Sequence, residues 1–389
     1  MSEPSPRFTH IPSAAILADI KPLVKPLTIY AAITNHGFGH ATRTCALMNC
    51  IAQHTPNLTL ILCANVPKWL LDEYLPWSLT AEAGRFIHRQ RFFDVGVIQT
   101  DSLHINHQAT LAHLEQLADH HQDLVASEVA FLRQHQVDLV FGDVPPLLTQ
   151  IAHKAGVPCW MAGNFGWDFI YRDWGKSFLS IADWFSEMYA QCDRLFRLPF
   201  HDGMASFPVQ QDVGWTGGLP QVAPETLRQK LGLDAHRPTA LLTFGGLSLA
   251  AIPYDNLVKF LEWQFLTFDR QAPNLPNLTL AAVDGLRPVD LMPLCDRVIT
   301  KPGYGTLSEI SRVGVPVVCL TRTGFAEAPI LLEGVRQTCS HLIIDPEDFY
   351  DGSWDFLTAA MEPPVTPSAT HPGHHGELEI FLALREYFS

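Results

Sequence analysis

The chain has 389 residues, of which 47% are apolar and 17% charged, and it carries a formal net charge of −14. That length exceeds one ordinary core and that composition buries well, so two globular domains are expected and a disordered chain is ruled out. The acidic balance speaks against nucleic acid and anionic membranes as partners, so an anionic substrate needs a locally positive or amide-lined pocket.

The first 26 residues are proline-rich, hold a short apolar patch and read as an arm. LTIYAAI (27–33) is an apolar run of strand length, followed by the glycine-bearing TNHGFGHATR and the helical TCALMNCIAQH. LTLILCANV (58–66), VDLVFGD (137–143) and VPCWMAGNF (157–165) repeat the pattern, with PLLTQIAHKAG as the helix between the last two. Periodicity then weakens and proline and glycine take over, which suits a linker at 206–235. The pattern restarts with TALLTFGG, LTLAAVDG, RVITKPGYG and VPVVCLTRTG, again strands that end in turns. TPSATHPGHHG reads as a flexible tail and ELEIFLALREYF as an amphipathic terminal helix.

Short apolar strands alternating with helices predict parallel sheets. The expected fold class is α/β, with two doubly wound, Rossmann-like domains facing each other across a cleft. The expected boundaries are an arm at 1–26, a first domain at 27–205, the linker, a second domain at 236–362, and a tail with terminal helix at 363–389. Ligands of such sheets sit at the carboxyl ends of strands, and the glycine-bearing motifs fall there. The eight cysteines are scattered without a C-x-x-C pair and read as reduced thiols of a cytoplasmic protein. No apolar run approaches transmembrane length, and MSEPSPRFTH lacks the basic-then-apolar order of a signal peptide.

In NHGFGHATR (35–43), Gly37 and Gly39 permit a tight turn after the first strand, and the helix that follows aims free amides into the cleft. His40, at that helix start, has the chemistry of a general base near neutral pH. The same pattern also describes an ordinary strand-to-helix turn with an exposed histidine. His36 and His40 stand four apart like zinc ligands on a helix, but the intervening glycines and the missing glutamate count against a metal. LLTFGGLS (241–248) is the matching turn of the second domain, where Gly245 and Gly246 let amides face a diphosphate. A Walker-type triphosphatase is excluded for want of G-x-x-x-x-G-K-[ST].

TKPGYGTLSE (300–309) combines stiffness and freedom. Pro302 holds Lys301 extended, while Gly303 and Gly305 allow close backbone approach. Thr306 has the position of a helix cap with Glu309 at capping-box spacing; alternatively, Glu309 reaches two neighbouring hydroxyls, as acidic side chains do on a ribose. Asp101, Asp143, Asn164, Trp167 and Asp168 fall near strand ends of the first domain, where Asp101 and Asp143 could instead cap helices and the tryptophan could simply pack. The histidines at 104, 107, 113, 120 and 121, and those at 371, 374 and 375, follow no metal template and read as solvated surface.

KPGYGTLSEISRVGVPVVCLTRTG (301–324) resembles the donor-site region of GT-B glycosyltransferases, in particular the MurG-type family, and NHGFGHATR is similar to that family's first-domain Gly-Gly-His loop. NFGWDFIY (164–171), DVGVIQTD (94–101) and LTFGGLS resemble more closely the glycosyltransferase-like region ahead of the kinase in plant L-arabinokinases. The likeness covers most of 28–335. It implies that Gly245, Gly246 and Gly305 line a diphosphate beside Lys301, Gly303 and Thr306, and that Glu309 binds the ribose. Phe325 and Glu327 fall where such enzymes touch the donor sugar, although Ala328 stands where many members carry glutamine. On the acceptor side the resemblance places Gly37, Gly39, Arg43, Asp143, Asn164, Trp167 and Asp168, with His40 as base and Asp101 as the alternative.

The implied activity is transfer of a sugar, a hexosyl group, from a UDP-sugar to an acceptor hydroxyl, with inversion. No Asp-x-Asp occurs in the chain, so neither a metal nor any cofactor beyond the nucleotide sugar is expected. An epimerase of nucleotide sugars shares this architecture, and a non-catalytic nucleotide-sugar-binding protein fits the missing glutamine.

Overall fold

The computed structural model describes residues 20–34, 36–99, 105–245, 252–282 and 285–389. Its first sheet has seven parallel strands: β1 (Leu27–Ile33), β2 (Leu58–Cys63), β3 (Phe86–Arg89), β4 (Leu139–Asp143), β5 (Cys159–Gly163), β6 (Arg194–Arg197) and β7 (Gln210–Asp212). They lie in the order β3-β2-β1-β4-β5-β6-β7. The second sheet has six parallel strands: β8 (Thr239–Leu242), β9 (Gln264–Thr267), β10 (Leu278–Leu280), β11 (Arg297–Thr300), β12 (Val317–Leu320) and β13 (His341–Ile344). Their order is β10-β9-β8-β11-β12-β13. Both domains are therefore doubly wound, as the alternation of apolar runs and helices requires.

In each sheet the strand order reverses at one point, between β1 and β4 in the first and between β8 and β11 in the second. Diverging connections at such a reversal leave a crevice beyond the carboxyl ends of the strands. HGFGH follows β1, VFGD ends β4, TFG follows β8 and KPGYG follows β11, so all four turns open onto that crevice. The β1–β4 register pairs Ile33 with Asp143, which sets this carboxylate level with the start of the HGFGH turn.

Helix α1 (Gly37–His54) carries the first turn, and α2 (His107–Gln134) follows later in the same domain. The helix expected between β4 and β5 is α3 (Leu147–Ala155), and α4 (Trp167–Asp173) follows β5. In the second domain α5 (Tyr304–Val313) follows β11 and α6 (Glu327–Thr338) follows β12. His113 and His120 are exposed along α2, each ring bonded to the carbonyl four residues back.

The tail differs from the flexible reading. Trp215 N–H donates to the Gly373 carbonyl at 2.7 Å, and Gly376 N–H donates back to the Trp215 carbonyl at 3.0 Å. The terminal helix α7 (Gly376–Phe388) then crosses to the first domain, where Phe381 lies 4.9 Å from the ring of His54 on α1 and Tyr387 lies 5.2 Å from Trp160 on β5. Its apolar face pays off against α1, and one buried cluster runs from Ile29 and Met48 through Ile380 and Phe381 to Val298 and Ile310. Among the described residues no helix is long and apolar enough to cross a membrane.

Candidate active site

α1 begins at Gly37, whose φ of +62° is the left-handed conformation that a side-chain-bearing residue avoids. The turn brings His40 round by one helical turn and buries it at 7% exposure, so it is no surface histidine. Its Nδ1 lies 2.8 Å from Asp143 Oδ1 and 2.9 Å from Arg43 Nη2. Asp143 also accepts from Arg43 Nε at 2.7 Å, Arg43 Nη2 at 2.6 Å and Thr44 Oγ1 at 2.8 Å. Burial by itself would raise this carboxyl, but the charge of Arg43, then the adjoining His40 ring, with the hydrogen bonds from both, outweighs it and holds the group well below the usual carboxylate range.

The network continues across the cleft. Arg43 Nη1 donates to Asn164 Oδ1 at 2.7 Å, and Asn164 Nδ2 donates to Glu327 Oε1 at 2.7 Å. Glu327 opens α6 in the second domain, and burial raises its pKa against the opposing Asn164 hydrogen bond. The guanidinium of Arg43 also stands 4.8 Å from the ring centre of Tyr304, in the second-domain turn. His36 stacks on Phe325 at 5.7 Å and 18°, adding an aromatic contact between the domains. Burial, then His40, Arg322 and Lys301, push the His36 imidazole well below its ordinary value and keep it neutral at pH 7.

Several sequence-based assignments are corrected by this geometry. Trp167 is fully buried, donates from Nε1 to Thr34 Oγ1 at 2.9 Å and packs on Phe165 and Tyr171, so it offers no face to a sugar. Asp168 accepts from Ser186 Oγ at 2.9 Å and from Ser206 Oγ, in the body of the first domain. Thr306 does not cap α5: the helix starts at Tyr304 after Gly303, without a side-chain cap, and Thr306 lies inside it. Glu309 consequently closes no capping box. Its Oε1 accepts the Gly218 N–H at 3.0 Å, and burial pushes its pKa up to about 7. A Cβ on Gly305 would stand 3.1 Å from Gly39 Cα, so these two glycines let the domains meet backbone to backbone. Asp101 and Gly246 lie outside the described residues.

Three neighbouring cavities, with lining residues in common, occupy the crevice. One of about 450 Å³ is walled by Thr42, Tyr74, Thr243, Gly245, Thr306 and Glu309. A second of about 100 Å³ holds His40, Arg43, Lys301, Gly303, Arg322 and Glu327, together with Phe325. The third, about 360 Å³, is lined by Ile33, Ala64, Asn65, Val66, Val97 and Gln99. The first two share Gly39, Phe244, Gly245, Gly305 and Thr306, the last two share His36, Gly37 and Gln99, and Phe38 lines all three. Phe38 and Arg322 escaped the sequence reading, although each stands within a quoted motif. The larger cavities fall in the roughly 300–1,000 Å³ range of small-molecule sites, and the smallest is a junction. Among the described residues no cluster of three metal-ligating side chains is present.

No protein-family model matches the chain. It is 28% identical over 322 residues to the L-arabinokinase of Arabidopsis thaliana, a match that takes in 79% of this chain and 29% of the plant protein. The chain thus spans less than a third of the length of that relative. Among solved structures it is similar to UGT89C1 of Arabidopsis thaliana complexed with quercetin (14% identity, TM-score 0.58, 93% of this chain and 94% of that one). It is also similar to UGT71G1 of Medicago truncatula complexed with UDP-glucose (13%, 0.54, 92% and 94%) and to CalG4, the calicheamicin glycosyltransferase (13%, 0.56, 94% and 93%). At such identities the likeness is one of fold, and the fold is GT-B.

Proposed function

We propose that this chain is a cytoplasmic glycosyltransferase that moves a hexosyl group from a UDP-sugar to the hydroxyl of an uncharged acceptor, without metal or cofactor and with inversion. One observation carries the reading: His40, backed by Asp143, stands at a junction between a nucleotide-sized cavity and a second cavity without charged side chains among its described lining. The fold neighbours supply the reaction class, since UGT71G1 was captured with UDP-glucose.

The chemistry follows from that placement. The acceptor O–H bond breaks, its proton goes to His40 Nε2, and the oxygen's electron pair forms the new bond to the anomeric carbon. The bond from that carbon to the diphosphate oxygen breaks, and its pair leaves with UDP. A single displacement inverts the centre. Asp143 stabilises the imidazolium, while Lys301, Arg322 and the uncapped start of α5 receive the charge growing on the diphosphate. Glu309, in the wall of the large cavity, takes the ribose hydroxyls, and Phe325 and Glu327 flank the sugar.

A panel of UDP-sugars and neutral hydroxyl acceptors tests the reading by UDP release and product stereochemistry. Release that depends on acceptor and survives excess EDTA is the expected result. Loss on chelation with recovery on adding magnesium or manganese would refute metal independence, and an epimerised donor would identify an epimerase. Binding without turnover would favour a nucleotide-sugar-binding protein, the reading that Ala328 and the Asn164–Glu327 bond support.

A further inference from the structure

His36 and His40 stand four residues apart in the sequence, and the fold gives their rings opposite surroundings. His40 has the Asp143 carboxylate 2.8 Å from Nδ1, so that nitrogen keeps its proton and the imidazolium formed on proton uptake is stabilised. The groups that act on the charge of His36 are instead His40, Arg322 and Lys301, all cationic when protonated, and its ring N–H donates to the Val97 backbone carbonyl. A neutral imidazole has one N–H and one bare nitrogen. Spending the N–H on Val97 fixes the tautomer and leaves the other nitrogen an acceptor of hydrogen bonds, unsuited to holding a full proton.

The ring is held from three sides. It stacks on Phe325 at 5.7 Å and 18°, meets Trp167 edge-on at 5.4 Å and 88°, and lies 6.1 Å from the ring of His40. Among the described residues, His36 and Gln99 alone bring polar side chains to both the junction and the third cavity. Thr34 also lines the third cavity, but its hydroxyl donates to Asp94 and accepts from Trp167 Nε1 at 2.9 Å. Two hydrogen-bond-accepting rings thus stand next to each other where the cavities meet.

A single hydroxyl cannot satisfy both. It has one proton, and sugar transfer sends that proton to His40. With a hydrogen bond of roughly 2.8 Å on each side, rings 6.1 Å apart leave space for two hydroxyls on neighbouring carbons. We propose that His36 is a specificity-determining residue that accepts a hydrogen bond from a second hydroxyl of the acceptor, and that the acceptor class is the vicinal diols, sugars and catechols among them. One hydroxyl gives its proton to His40 and attacks the donor, while its neighbour donates to His36 and keeps its own proton. The inference rests on the glycosyltransferase reading and goes beyond it by naming the acceptor.

The test compares kcat/KM for catechol, 2-methoxyphenol and phenol with one UDP-sugar on the full chain. Catechol donates from both oxygens, 2-methoxyphenol has similar bulk without a second donor, and phenol lacks the second oxygen. Catechol should be favoured roughly tenfold over the other two, the scale of one hydrogen bond between neutral groups. His36→Phe keeps an aromatic ring against Phe325 and loses the bare nitrogen. In that variant the preference should fall to what two equivalent hydroxyls give by count alone, whatever the absolute rates. Trans-1,2-cyclohexanediol against cyclohexanol, a pair without phenolic acidity, should repeat the pattern. A wild type that shows no preference beyond that count overturns the inference without recourse to any variant. So does a preference that persists in folded His36→Phe, or one that Gln99→Leu abolishes while His36→Phe keeps it. If no acceptor is turned over, the glycosyltransferase reading fails, and calorimetry of catechol against phenol on UDP-saturated wild type and His36→Phe still decides the preference.

Discussion

His40 and Glu309 are both buried side chains at the crevice, and their surroundings give them opposite tasks. His40 lies in the small junction and not in the wall of the 450 Å³ cavity. His40→Ala should therefore lower transfer by about 10²–10⁴-fold, the usual contribution of a positioned base, while UDP affinity measured by calorimetry stays nearly unchanged. A variant with wild-type turnover would move proton removal elsewhere, with Asp101→Asn the next to assay. Glu309 has a folded pKa of about 7 against an ordinary 4.5. Between those values the folded protein keeps a proton that the unfolded chain has lost, so stability falls as pH rises through the window and levels off above 7. Two and a half pKa units correspond to about 3 kcal/mol. Asp202, likewise raised by burial to about 7, has the same sign. Glu309→Gln should accordingly flatten the fall in urea stability between pH 5 and pH 8 without abolishing it. An unaltered pH profile would show that Glu309 is ionised in the fold at no cost.

The turns at the strand ends were legible because glycine, proline and a buried strand stand next to each other in them. The helix that follows β11 was placed correctly, but its first residue was not: Thr306 has a good capping side chain, yet Gly303 occupies the cap because the chain turns earlier, straight after Pro302. The two edge strands of the first sheet were illegible for a different reason. β3 (FIHR) is only four residues long and half polar, β7 (QQD) is three polar residues, and each is recruited by a neighbouring strand that already exists. The contact between the two turns makes a prediction of opposite signs. A Cβ on Gly39 would meet Gly305 N at 3.7 Å, an ordinary contact, whereas a Cβ on Gly305 would lie 3.1 Å from Gly39 Cα and 3.4 Å from Gly39 O. Gly39→Ala should gain up to about 1 kcal/mol of helix propensity. Gly305→Ala should instead lose roughly 1–3 kcal/mol to overpacking, less that same gain, because both clashing atoms are backbone. Equal denaturation midpoints for the two variants would mean that the domains are not pressed together there.

How the two domains are held together was the least legible feature, since it depends on side chains far apart in the sequence. Arg43 and Asn164 are 121 residues apart, Asn164 and Glu327 are 163 apart, and no local pattern links them. The same holds for Arg312 and Glu377. Arg312, on α5, donates from Nη1 to Glu377 Oε1 at 2.8 Å and to the Gly217 carbonyl at 2.7 Å, and from Nη2 to the His374 carbonyl at 2.9 Å. Glu377, on α7, also accepts the Gly217 N–H at 2.7 Å. Their side chains are 2% and 9% exposed, so one buried ion pair joins the second domain, the connection between the sheets and the terminal helix that packs on the first domain. Removing one member of such a pair strands the other charge without water and typically costs about 3–5 kcal/mol. Glu377→Ala and Arg312→Met should each show a loss of that size in urea unfolding. The double variant strands no charge and leaves only backbone groups short of partners, so its loss should be smaller than the sum of the two by at least about 1 kcal/mol. Strict additivity would show that the two side chains stabilise the fold independently and that the terminal helix is held by its apolar face alone.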